Sequence, residues 1–157
     1  MNLLQPSRTF ADKLINILAG YSAMLFWFVI FSNLLSFTYN YRSDIILAQF
    51  YTQRPSQLFI FIMSVILAPL WEELVFRHSV IQIAKNNKQY IIWVVIIISA
   101  IFGSLHNNPE YYYGIYFQGV FGFIFACVYI KNGYHYWSSV ILHAMWNGTV
   151  FALPYLM

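Results

Sequence analysis

The sequence predicts an all-α membrane protein, a bundle of about five transmembrane helices, and three observations carry that prediction. The 157-residue chain is 61% hydrophobic and 8% charged, where a soluble domain has roughly 45–50% and about 25%. Eight Lys+Arg and 5 Asp+Glu cannot clothe a water-facing surface, so most of the solvent must be lipid. Apolar runs also recur near the roughly 20 residues that a helix needs to cross a hydrocarbon core of about 30 Å. No strand alternation, repeat or low-complexity tract interrupts them. The single cysteine, Cys127, excludes a disulfide scaffold and reads as packing. The formal charge of +3 is explained by the Lys/Arg enrichment of cytoplasmic loops, so no nucleic-acid partner is expected.

The first span is read from Leu14 to Phe37, too long for a signal-peptide core and without a clear cleavage site, hence a retained helix. Residues 38–56 hold Arg42, Asp44, Arg54 and Pro55 and form a loop, with a short interfacial helix around Ile45–Tyr51. The second span runs from Gln57 to about Ala84, before the polar break Lys85 to Gln89. The third covers Tyr90–Leu105 and stops at His106-Asn107-Asn108-Pro109-Glu110. The fourth covers Gly114–Ile130, with Lys131-Asn132-Gly133 as its stop signal. The fifth runs from Tyr136 to Leu156. Two regions follow: 1–56, an N-terminal helix with its connecting loop, and 57–157, the core. With the N-terminus inside, Arg8, Lys13, Lys85, Lys88 and Lys131 fall on the cytoplasmic side, against Arg42 and Arg54 outside. This orients a multi-pass cell-membrane protein N-in.

Charged groups in the second span need a reason, because each costs about 2.5–3.5 kcal/mol at mid-bilayer on insertion scales. Glu73 and Arg77 are spaced i,i+4 with the acid N-terminal, the favourable order for a structural ion pair. One arginine cannot neutralise two carboxylates, and Glu72 lies about 100° away around the helix. Glu72 is therefore the expected functional acid, with Glu73 and Arg77 as its support. Phe102-x-x-x-His106 ends the third span, and His143-x-x-x-Asn147 presents two polar tips on one face of the fifth. Counted at 1.5 Å per residue from the cytoplasmic ends, Glu72 lies roughly 18 Å deep, Asn147 about 16 Å, His106 about 22 Å and His143 about 10 Å. All four fall inside the membrane. Pro69, three residues before Glu72, is expected to kink its helix. A carboxylate with two imidazoles and an amide points to water activation, with the acid moving the proton and the amide stabilising an oxyanion. His-Glu-x-x-His and Gly-rich phosphate loops are absent from the sequence. His78 and His135 read as interfacial.

Glu72-Glu73-x-x-x-Arg77, Phe102-x-x-x-His106 and His143-x-x-x-Asn147, in order on successive apolar segments, resemble the CPBP (Abi) family of intramembrane proteases. That family includes CAAX-processing endoproteases and bacteriocin-associated membrane proteins. The resemblance covers about residues 57–157. It implies that Glu72 activates the catalytic water, with Glu73 and Arg77 in supporting positions. His106 would hold the water or a metal, and His143 and Asn147 would stabilise the oxyanion or add ligands. The cofactor stays open between one divalent metal such as zinc, held by His106 and His143, and none. An Asn partner is unusual for zinc and natural in an oxyanion hole. The implied function is an intramembrane endopeptidase acting on a peptide or membrane-protein substrate, in bacteriocin-like peptide processing or immunity. The alternative is an immunity protein that acts by binding alone. Only one clear span precedes the motif-bearing core, short for the family, which bears on the substrate more than on the chemistry.

Overall fold

The computed structural model describes residues 9–39, 56–107 and 114–155. It is an all-α helical membrane bundle, with no strand among the described residues. Its five helices are α1 (Phe10–Tyr39), α2 (Gln57–Ala84), α3 (Ile91–Leu105), α4 (Gln118–Lys131) and α5 (Tyr136–Ala152). The first two are long and apolar enough to cross a membrane. Their apolar side chains are mostly turned outward, with Phe26, Val29, Ile62 and Ile66 among the exposed ones. Water would penalise such a surface at about 25 cal/mol per Å²; lipid does not.

Two of the expected spans are shorter than read. Gly114–Phe117 is a turn rather than the start of α4. The Asn107 side chain holds it by accepting the Gly114 N–H at 2.8 Å. The fifth helix closes at Ala152 and tightens into a 3₁₀ turn over Leu153–Tyr155, because Pro154 has no N–H to continue the ladder. The expected interfacial helix at Ile45–Tyr51 lies outside the described residues.

α2 is not a uniform helix. Two π-helical turns, Ile62–Leu67 and Leu74–Ser79, flank the α-helical turn Ala68–Glu73. The first answers Pro69, whose ring would strike the carbonyl four residues back in a regular helix. Widening that turn moves the carbonyl aside, and the N–H of Ala68 reaches the Met63 carbonyl five residues back. In the second, the Ser79 hydroxyl donates to the Leu74 carbonyl at 2.8 Å. Glu72 and Glu73 therefore sit on a short stretch of regular helix between two irregular turns.

α5 packs antiparallel along α2, with Phe151 against Phe61 and Gly148 against Val65. α3 and α4 approach closely through glycine. A Cβ on Gly103 would lie 2.5–2.8 Å from backbone atoms of Gly114, Ile115 and Gly119. Small residues at helix crossings are the common packing device in membranes. α1 is bolted to the far side of α4 and α5 by polar contacts at three levels. The Asn16 amide donates to Asn132 Oδ1 at 2.7 Å, Tyr21 pairs with Thr149, and the Trp27 indole donates to the Tyr116 carbonyl at 3.2 Å. Around them the main core forms from Ile17, Met24, Phe102, Phe121, Phe125, Leu142 and Trp146.

Candidate active site

Three helices supply the candidate site: α2 gives Glu72, Glu73 and Arg77, the C-cap of α3 gives His106, and α5 gives His143. Glu72 Oε2 lies 3.9 Å from His106 Nε2 and 3.7 Å from His143 Nε2. One carboxylate oxygen is thus shared by two imidazoles from helices distant in the chain. The side chains of Glu72 and His106 are 27% and 34% exposed while that of His143 is only 5% exposed. Glu72 and His106 thus reach the surface on the α2–α3 side, while Glu72 Oε2 is buried among the three side chains.

Each ring is anchored through its other nitrogen. His106 Nδ1 lies 2.8 Å from the Phe102 carbonyl, its own helix one turn back, which can only accept. The i,i+4 spacing of Phe102 and His106 is what brings these atoms together. His143 Nδ1 lies 2.9 Å from Glu73 Oε1, with the ring stacked on Phe125 at 4.5 Å between centroids. Both partners are acceptors, so both rings carry their proton on Nδ1 when neutral and turn an Nε2 lone pair toward Glu72. Two lone pairs and a carboxylate around one point need hydrogen donors between them. Glu72 Oε2 itself is buried and has no hydrogen-bond partner among the described residues, so it is an acceptor without a donor.

Glu73 and Arg77 form the buried counterpart. Their side chains are 0% and 1% exposed and approach at 3.1 Å. Arg77 also donates to the Gly122 carbonyl at 3.1 Å. Its guanidinium carbon lies 4.5 Å from the Phe102 ring centroid and 5.3 Å from that of Phe125. Ion pair, hydrogen bond and ring faces offset part of the cost of burying the charge, while Glu73 Oε2 and Arg77 Nε remain buried without a hydrogen-bond partner among the described residues. Asn147, one turn beyond His143, is tied elsewhere: its amide donates to the Ser64 carbonyl in the first π-helical turn at 2.8 Å. That carbonyl lies in the stretch loosened by Pro69. His78 is half-buried, with Nδ1 3.3 Å from the Tyr129 hydroxyl. Sequence reasoning passed over α4, whose Gly122 and Phe125 touch the site; in an apolar run neither differs from ordinary packing residues.

The donor set can be tested against zinc. Two ligand atoms bonded at about 2.0–2.1 Å in a tetrahedral site lie roughly 3.3 Å apart, closer than the 3.7 and 3.9 Å seen here. Among the described residues no group of three or more His, Cys, Asp or Glu is arranged to hold an ion. The zinc reading of His106 and His143 is therefore kept for the chelator test, and no chemical step is routed through a metal.

A family model described as type II CAAX prenyl endopeptidase Rce1-like matches residues 54–149, more than half of the chain and every residue of the site. The chain belongs to the Rce1-like family. No curated protein and no solved structure matches it. Membership in the Rce1-like family agrees with the resemblance carried by the three motifs. It makes the protein a hydrolase of the CAAX-type intramembrane protease class, with a peptide or protein as the substrate class. α1 lies outside the matched residues, yet it is packed into the same core.

Proposed function

We propose that this chain is an intramembrane endopeptidase in which Glu72 activates water for attack on a peptide bond. The observation that carries this reading is the approach of two Nδ1-anchored imidazoles to one oxygen of Glu72. Glu72 takes a proton from the water, whose oxygen adds to the peptide carbonyl carbon. The same carboxyl group then delivers that proton to the amide nitrogen as the C–N bond breaks, leaving a carboxylate and an amine. The water's second hydrogen is held by the Nε2 lone pair of one of the two imidazoles, His106 or His143. The amide hydrogen of Asn147 not used on Ser64 is assigned to the oxyanion. Glu73 and Arg77 hold His143 in place.

The core of this activity is assigned to residues 57–157, with 1–56 as the N-terminal helix and loop. Lys13, Lys85, Lys88 and Lys131 gather at one end of the bundle, where Asn132 meets the Lys13 carbonyl and Ile81 packs with Ile91 and Tyr134. That end is assigned to the cytoplasm of a multi-pass membrane protein. The family description names a prenyl endopeptidase. The substrate proposed here is a membrane-associated peptide, in bacteriocin-like peptide processing or immunity. The test is cleavage of prenylated and unprenylated peptides by the protein in liposomes, with Glu72→Gln as the comparison and with a zinc chelator added. The wild type cleaves, the chelator changes nothing, and the variant loses activity. Equal cleavage by the variant would remove the glutamate from the mechanism. Loss with chelator would assign the chemistry to a metal. Protection against a bacteriocin that survives Glu72→Gln would favour the binding-only alternative.

A further inference from the structure

We infer that Gly122, on α4, is a positioning residue that sets the proton position on His143 by clasping Arg77. The chain of contacts is short and buried. The Gly122 carbonyl accepts from Arg77 NH2 at 3.1 Å. Arg77 NH1 lies 3.1 Å from Glu73 Oε1, and the same oxygen lies 2.9 Å from His143 Nδ1. The Phe102 and Phe125 rings stand against the guanidinium and leave it little freedom to turn. Gly122 also supplies space. A Cβ built there would lie 3.0 Å from Arg77 NH2 and 3.0 Å from Phe102 Cδ1. A side chain at 122 therefore makes the guanidinium or the Phe102 ring give way by a few tenths of an ångström, which lengthens the bond to the carbonyl that fixes it. Glu73, fully buried, then loses alignment with its counter-charge and releases the Nδ1 proton of His143.

The same glycine could serve only to let α3 and α4 approach, and Gly119 separates the two roles. A Cβ on Gly119 would meet the Ser99 carbonyl at 3.2 Å and no atom of Arg77. Gly119→Ala strains the same helix contact and leaves the clasp alone.

The inference rests on the hydrolytic reading for its effect on rate, but its primary readout does not. The full-length protein in nanodiscs, labelled with ¹⁵N-histidine, gives the tautomer of His143, assigned by loss of its signal in His143→Asn. The wild type and Gly119→Ala show the Nδ1–H form; Gly122→Ala shows a mixture or the Nε2–H form. With a cleavable peptide, Gly122→Ala lowers kcat about tenfold or more at unchanged KM, as loss of an orienting partner does. An unchanged His143 signal in Gly122→Ala overturns the inference, as does an equal change in Gly119→Ala. If Gly122→Ala does not fold, Arg77→Lys is read instead. A single ammonium cannot span Gly122 and Glu73, so a retained wild-type tautomer there overturns it equally. If no peptide is cleaved, the hydrolytic reading fails while the tautomer result still decides the role of Gly122.

Discussion

Glu72 and Glu73 are neighbours in sequence, identical in chemistry, and placed in opposite surroundings. Glu73 has no exposure and meets Arg77 and His143 at 3.1 and 2.9 Å. Glu72 is partly exposed and meets its two histidines at 3.7 and 3.9 Å. The first spacing is that of direct contact; the second leaves Glu72 Oε2 an acceptor without a partner among the described residues. A rotation of about 100° between successive residues is enough to make one acid a fixture and the other a reagent. Burial and partner distance, rather than residue type, separate the two roles.

The contrast can be broken experimentally. The largest effect on rate is expected from Glu72→Gln. It should lower kcat by roughly 10²- to 10⁴-fold, the range for loss of a general base, while the thermal unfolding midpoint stays near the wild type. Arg77→Met should show the reverse priority, because it strands the buried Glu73 carboxylate. A loss of about 3–5 kcal/mol in stability is expected in denaturant or thermal unfolding. If both variants lose activity and stability in parallel, the division of labour is wrong. Asn16→Leu sharpens the comparison from outside the site. It leaves buried Asn132 short of a donor and should cost about 1–3 kcal/mol, with KM and kcat unchanged in the surviving folded protein.

The smallest effect belongs to His135, in the loop before α5. Partial burial and nearby Lys13 hold its imidazole below the usual value of 6.5. The unfolded chain therefore binds this proton first as pH falls. Its contribution to stability is lost as pH drops from above 6.5 toward the folded-state value, and His135→Gln should flatten that slope. Unfolding midpoints at a series of pH values read it directly.

Much of the fold was legible because lipid imposes a simple rule: every long apolar run is a helix. Glu73–Arg77 was legible from i,i+4 spacing, and the Phe102–His106 spacing is likewise local. Convergence across helices was not. Treating the spans as upright rods separates His106 and His143 by about 12 Å in depth, yet both approach one oxygen of Glu72. Helix tilt and unequal loop levels absorb the difference, and neither leaves a mark in composition. Pro69 announced a distortion but not its form, a wide turn in place of a kink. Asn132 looked like a helix stop and is also the buried partner of Asn16, a pairing across 116 positions that no local pattern encodes.

The two wide turns of α2 have a consequence for how this helix can change. Each accommodates one residue more than a regular turn would, so deleting a single residue inside either would let the backbone relax into ordinary winding. The stretches on either side would then keep their phase, and only residues inside the turn would change their facing. Lost from the first turn, a residue would alter the facing only around Ser64; lost from the second, only around Arg77. Elsewhere in the bundle the loss of one residue turns the rest of its helix by about 100°, whereas along these twelve positions it is absorbed where it occurs.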